Sequence, residues 1–106
     1  MAEEAIVVLI TAPSEEAAEK VARALLDAHA AACVALLPGV RSLYRWKGEI
    51  HDDRELQMFV KTTADRLDDV KRIVKATHPY EVPELLALEV VDGAESYLAW
   101  LGAETR

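Results

Sequence analysis

Hydrophobic positions along the chain follow two rhythms, and their alternation predicts the order of elements. Residues 5–11 are almost all aliphatic or β-branched, a continuous apolar run that predicts a central strand covered on both faces. Pro13 and Ser14 end it. Ser14 offers a capping oxygen, and Glu15 and Glu16 suit the positive end of a helix. Ala18, Val21, Ala22, Leu25 and Leu26 then recur at helical spacing, with Glu15, Glu19, Arg23 and Asp27 between them, so this helix has one apolar face to lay on a sheet. From Ala32 to Trp46 the rhythm changes to two: Val40, Ser42, Tyr44 and Trp46 alternate with Arg41, Leu43, Arg45 and Lys47. This predicts one long strand with a kink at Pro38-Gly39. Lys47-Gly48 gives a tight reversal, after which Leu56, Met58 and Val60 alternate with Gln57, Phe59 and Lys61, completing a hairpin.

A second helix is predicted from about Asp65 to Thr77, with Leu67, Val70, Ile73 and Val74 on one side and Asp68 paired with Arg72 on the other. His78 precedes Pro79 and leaves the helical region; Tyr80, Glu81 and Val82 run extended into Pro83. Leu85 to Val91 reads as a further apolar strand, Asp92-Gly93 as a turn, and Tyr97, Leu98, Trp100 and Leu101 as a short C-terminal helix. The order β-α-β-β-α-β-α predicts an α+β fold: a ferredoxin-like βαββαβ sandwich with both crossover helices on one face and an added C-terminal helix. The hairpin is the unusual element. Arms of about 15 residues reach on the order of 50 Å, whereas a domain of this size has a radius of gyration of about 13 Å. The ribbon must protrude, and its exposed aromatic residues need cover from another chain. An oligomer follows, of a number the pattern does not fix.

Composition narrows the classes. A length of 106 residues suits one domain over residues 1–106. Nineteen acidic against 12 basic residues give a formal charge of −7, which argues against nucleic acid and acidic membranes as partners and favours cations. A lone cysteine, Cys33, and an acidic start without a signal-like apolar run point to the cytoplasm. Asparagine is absent and glutamine occurs once, at Gln57, a balance that predicts a heat-adapted, thermostable protein. No nucleophile motif, phosphate loop or dinucleotide fingerprint is present among the four glycines, so the chain does not read as an enzyme.

Three segments together resemble the CutA family of divalent-cation tolerance proteins. They are Ala32-Cys33-Val34 leading to Leu37-Pro38-Gly39-Val40, then Ser42-Leu43-Tyr44-Arg45-Trp46-Lys47-Gly48-Glu49, then His78-Pro79-Tyr80-Glu81-Val82-Pro83-Glu84. The likeness covers essentially the whole chain, including the closing Tyr97-Leu98-Ala99-Trp100. It departs at Ala35, where family members often carry Asn. The resemblance implies a very stable homotrimer of ferredoxin-like subunits, similar in architecture to the PII signalling proteins, and a link to tolerance of divalent metals, copper above all.

Candidate chemistry is sparse. Cys33 and His78 are ligand types for soft and borderline metals such as Cu²⁺, and their segments are expected to approach one another, with Glu84 adding an oxygen. No CxxC or HxxxH spacing is present, so convergence must be tertiary or between subunits. The plainer readings are a buried thiol acting as a small apolar residue and a His that ends its helix against the last carbonyls. Lys61, Tyr80 and Glu81 are the polar-tipped residues expected to face the same cleft as ligand-binding groups. Tyr44, Trp46 and Trp100 are expected to anchor the trimer interface. His51, Asp52, Asp53 and Glu55 read as a solvated edge that discourages aggregation. The expected protein is therefore a trimeric binding or signalling module with clefts for a divalent cation or small molecule and no obligatory cofactor. The alternative is a structural scaffold that recruits a partner protein, with metal effects indirect.

Overall fold

Strand alternation divides the sheet into two unlike faces, and that division positions everything else. The computed structural model describes residues 4–106. Its elements are β1 (Ala5–Ala12), α1 (Glu15–Asp27), β2 (Cys33–Trp46), β3 (Glu49–Thr63), a 3-10 turn (Ala64–Arg66), α2 (Leu67–Thr77), β4 (Leu86–Glu89) and α3 (Glu95–Glu104). The strands lie in the order β2-β3-β1-β4 and every pairing is antiparallel. This is the split βαβ arrangement expected from the element order.

One face carries Ile6, Val8 and Ile10 from β1 and Leu56, Met58 and Val60 from β3, all buried. The two crossover helices cover it with Ala18, Val21, Ala22 and Leu25 from α1 and Val70, Ile73 and Val74 from α2. Each is set by its caps: the Ser14 side chain accepts from the Ala17 amide at 3.1 Å, and the His78 amide closes α2 on the Val74 carbonyl at 2.8 Å. The opposite face has no crossover helix. Val7 and Leu9 are only half-buried there, so β1 is central in the sheet but covered on one side, a correction to the two-sided expectation. Apolar character on both parities of β1 marks a second surface, not a second layer of the same chain.

Three other expectations change. The strand predicted from Leu85 to Val91 is a four-residue edge strand whose residues are all exposed, because it pairs with β1 alone and only from Leu86 to Glu89. The predicted Asp68–Arg72 pair is replaced: Asp69 lies three residues from Arg66 and from Arg72 and holds both, at 3.1 and 3.3 Å. The second helix starts later than Asp65, with the 3-10 turn taking up its first residues.

The hairpin is as long as expected. β2 and β3 pair from Cys33↔Lys61 to Trp46↔Glu49, with a register shift between Leu37 and Val40. That shift falls at Pro38-Gly39, where Gly39 takes φ +80: one extra residue on β2 makes a bulge. Lys47 and Gly48 at the tip have φ +50 and +81, the paired positive values of a type I′ turn. The ribbon stretches the molecule to 47 × 25 × 21 Å.

Candidate functional site

The loop of residues 78–85 leaves α2, passes the end of β1 and comes to lie against β3. Proline at 79 and 83 keeps it extended, and side-chain hydrogen bonds pin it. The His78 ring is 8% exposed. Its Nε2 lies 2.7 Å from the Thr11 carbonyl, and its Nδ1 lies 3.1 Å from the Tyr80 amide. A carbonyl can only accept and an amide can only donate, so Nε2 carries the proton and Nδ1 supplies its lone pair to Tyr80. Both ring nitrogens are engaged. The imidazole therefore clips the loop to β1, a distant partner instead of the carbonyls of its own helix.

Tyr80 reaches back to β3, where its hydroxyl donates to Glu55 Oε2 at 2.8 Å. Burial raises the Tyr80 pKa well above that of a free phenol, and the hydrogen bond to Glu55 adds to the shift. Glu55 is 7% exposed, which corrects the reading of residues 51–55 as a uniformly solvated edge. Asp52 and Asp53 do remain exposed. Arg41 grips Asp52 through two hydrogen bonds of 2.8 and 2.7 Å and lowers its pKa. Tyr44 donates its hydroxyl to Asp53 and stacks on His51 with centroids 5.3 Å apart. Farther along β3, Gln57 Nε2 donates to Glu84 at 3.0 Å and to the Ile10 carbonyl at 3.1 Å.

The structure brings some predicted residues together and keeps others apart. Tyr80 and Glu84 both bond to the hairpin root, Tyr80 to Glu55 and Glu84 to Gln57. Glu81 is exposed beside it. Cys33 does not join them: it sits opposite Lys61, and Lys61 is opposite Val7, whereas His78 holds Thr11. Four residues of strand separate these rows, roughly 14 Å at about 3.4 Å per residue. Lys61 is likewise at the far end of the face, with its ammonium 6.0 Å from the Tyr97 ring centroid. Among the described residues no three His, Cys, Asp or Glu side chains gather closely enough to hold a metal ion. Within one chain Cys33, His78 and Glu84 are not brought together: both His78 ring nitrogens are hydrogen-bonded and Glu84 accepts from Gln57.

The helix-free face is the other candidate surface. Cys33, Ala35 and Leu37 of β2, Phe59 and Lys61 of β3, Val7 and Leu9 of β1, and Leu86 and Leu88 of β4 share this parity through the strand register. α3 covers one end of it, burying Leu101; the Thr105 carbonyl behind it accepts from Arg66 Nε at 2.6 Å. The remainder is open: Leu37, Leu86 and Leu88 are exposed. Tyr44, Trp46 and Trp100 are 40%, 41% and 42% exposed, half-covered by their own chain.

Residues 6–104 match the family described as CutA1 divalent ion tolerance protein. The chain belongs to that family. A divalent-cation tolerance protein CutA of Thermus thermophilus is 50% identical over 99 residues, covering 93% of this chain and 96% of the relative. A solved structure of a divalent cation tolerance protein, also from Thermus thermophilus, superposes with a TM-score of 0.93 at 49% identity, covering 96% of this chain and 99% of that one. The crystal structure of CutA1 from Oryza sativa gives 0.95 at 39% identity, covering 99% of this chain and 96% of that one. The CutA1 assignment agrees with the resemblance read from the three segments. No helix among the described residues is long and apolar enough to cross a membrane. Sequence reasoning missed Thr11, Glu55 and Gln57 as partners of the CutA1 loop. Strand parity was the available signal, since Glu55 and Gln57 alternate with the core residues Leu56 and Met58.

Proposed function

We propose that this CutA1 chain works as a homotrimeric, non-enzymatic binding or signalling module of the cytoplasm, serving divalent-cation tolerance through ligand clefts between copies. The observation that carries this reading is the open apolar sheet face. Val7, Leu9, Ala35 and Phe59 are only half-buried, and Leu37, Leu86 and Leu88 are exposed. At about 25 cal/mol per Å², covering such a face is strongly favourable, and copies of the same chain would carry the aromatic anchors Tyr44, Trp46 and Trp100 to its edges. Cys33 and Lys61 lie on that face, so both would line a cleft once copies meet there. A Cu²⁺ site would have to draw donors from more than one copy, because one copy does not gather them. Tyr80, Glu81 and Glu84 would border such a cleft from the loop side.

The scaffold reading, with metal effects indirect, has one observation in its favour: both nitrogens of His78 are taken by structural hydrogen bonds. Sedimentation at micromolar concentration tests the assembly, with a trimer expected and a folded single subunit overturning it. Calorimetric titration with Cu²⁺ separates the two readings. Saturable binding weakened in Cys33→Ser supports the cleft site. Absence of saturation below about millimolar, equivalent to only about 4 kcal/mol of binding free energy, favours the scaffold. His78→Ala in the same titration shows whether the ring contributes beyond its two hydrogen bonds.

A further inference from the structure

A half-open pocket of about 460 Å³ lies between the start of β1, the end of β4 and α3, within the range of about 300–1,000 Å³ typical of small-molecule sites. We propose that it binds a small organic cation with a hydrocarbon body, of the aliphatic diamine class. Its walls include Val90, Leu98 and Leu101, and Glu4, Glu89 and Asp92 also line it. Leu101 is 3% exposed. The Leu98 wall is held in place at Gly93, where a Cβ would come within 3.2 Å of Leu98 Cδ2. Asp92 is positioned as well, with Oδ1 accepting from the Gly93 amide at 2.8 Å.

The chemistry of the occupant follows from this lining. Among the residues described as lining the cavity there is no Lys, Arg or His, and no salt bridge among the described residues reaches Glu4, Glu89 or Asp92. An anion would meet three carboxylates. A bare divalent cation wants six or more oxygens, and these carboxylates form no metal-holding group. A neutral hydrocarbon would use the walls and leave the charges idle. A diamine places methylenes against Val90, Leu98 and Leu101 and an ammonium beside the carboxylates, and a chain of charge −7 draws it in. The proposal is independent of the subunit clefts, since the cavity is lined within one chain. Occupancy would also tie α3 to β4.

The test titrates the intact protein with hexamethylenediamine, with hexanediol and Mg²⁺ as controls, following backbone amide shifts and amide exchange. Saturable binding is expected, with shifts at Val90, Asp92 and Leu98 and slower exchange in α3. The double variant Glu4→Gln with Glu89→Gln, both at exposed positions, should bind about tenfold more weakly, as the loss of two rim ion pairs predicts. No saturation below about 10 mM, equal binding of hexanediol, the same shifts with Mg²⁺, shifts confined to another surface, or unchanged affinity in the double variant would each overturn the proposal.

Discussion

Tyr80 joins two parts of the chain that are 25 residues apart in sequence, and a single proton maintains the connection. The folded phenol has a raised pKa, from burial first and from the Glu55 hydrogen bond second. In the unfolded chain the same group ionises near 10. A raised folded pKa means the protonated form is favoured by folding, so the stabilisation is complete below about pH 10 and is lost as pH rises above it. Denaturant midpoints measured from pH 8 to 11 should fall at the alkaline end, and Tyr80→Phe should flatten that fall while costing about 1–2 kcal/mol at neutral pH for the buried carboxylate left without its donor. An unchanged alkaline slope in the variant would dissociate Tyr80 from the effect. At this scale the sequence was legible only locally. It placed His78 at a helix end correctly, but the partner of its ring is the Thr11 carbonyl, 67 residues away. No spacing rule reaches that far. The exchange of Asp68 for Asp69 has a similar origin: both are polar-face residues, and the choice depends on Arg66 being placed by its bond to the Thr105 carbonyl.

Among the elements, the hairpin was the most readable, because alternation, a Pro-Gly interruption and a Lys-Gly reversal are all local signals. Its tip depends on two residues with positive φ, of which Gly48 at +81 is the less tolerant of a side chain. Gly48→Val should destabilise the tip by about 1–2 kcal/mol, read as faster amide exchange at Trp46 and Glu49. Lys47→Asn should act in the opposite direction by a few tenths of a kcal/mol. If Gly48→Val left exchange unchanged, the paired positive φ values would not be what closes the ribbon. The last strand was read less well. A run of aliphatic residues from Leu85 to Val91 looks the same whether it is buried on both faces or forms a bare edge. Only the register with β1 limits it to Leu86–Glu89.

For the whole molecule, the element order carried the topology, and the apolar residues on both parities of β1 signalled a second apolar surface that one chain leaves open. Leu9 is at the centre of that surface, opposite Phe59 on one side and Leu86 on the other. Leu9→Glu should shift sedimentation towards single subunits, since an unpaired buried charge costs several kcal/mol, while far-UV circular dichroism stays native because the helix-covered core is untouched. Sedimentation identical to the parent would remove this face from the interface. The candidate site was less legible than the fold: polar partners meet where strands end, and strand ends are set by tertiary packing. The bulge at Pro38-Gly39 has a last consequence. With Pro38 and Gly39 of β2 set against Leu56 alone between the pairs Leu37↔Gln57 and Val40↔Glu55, the even-numbered residues of the outer arm take the face that the odd-numbered ones hold in the inner arm. Delete one of those residues and the ladder becomes regular: Val40 stays opposite Glu55 and Tyr44 opposite His51, so Tyr44 and Trp46 keep their face, and what is lost is the local bend and added twist of the bulge. A shortening by a single codon would thus leave the outstretched arm the same way up while straightening its wrist.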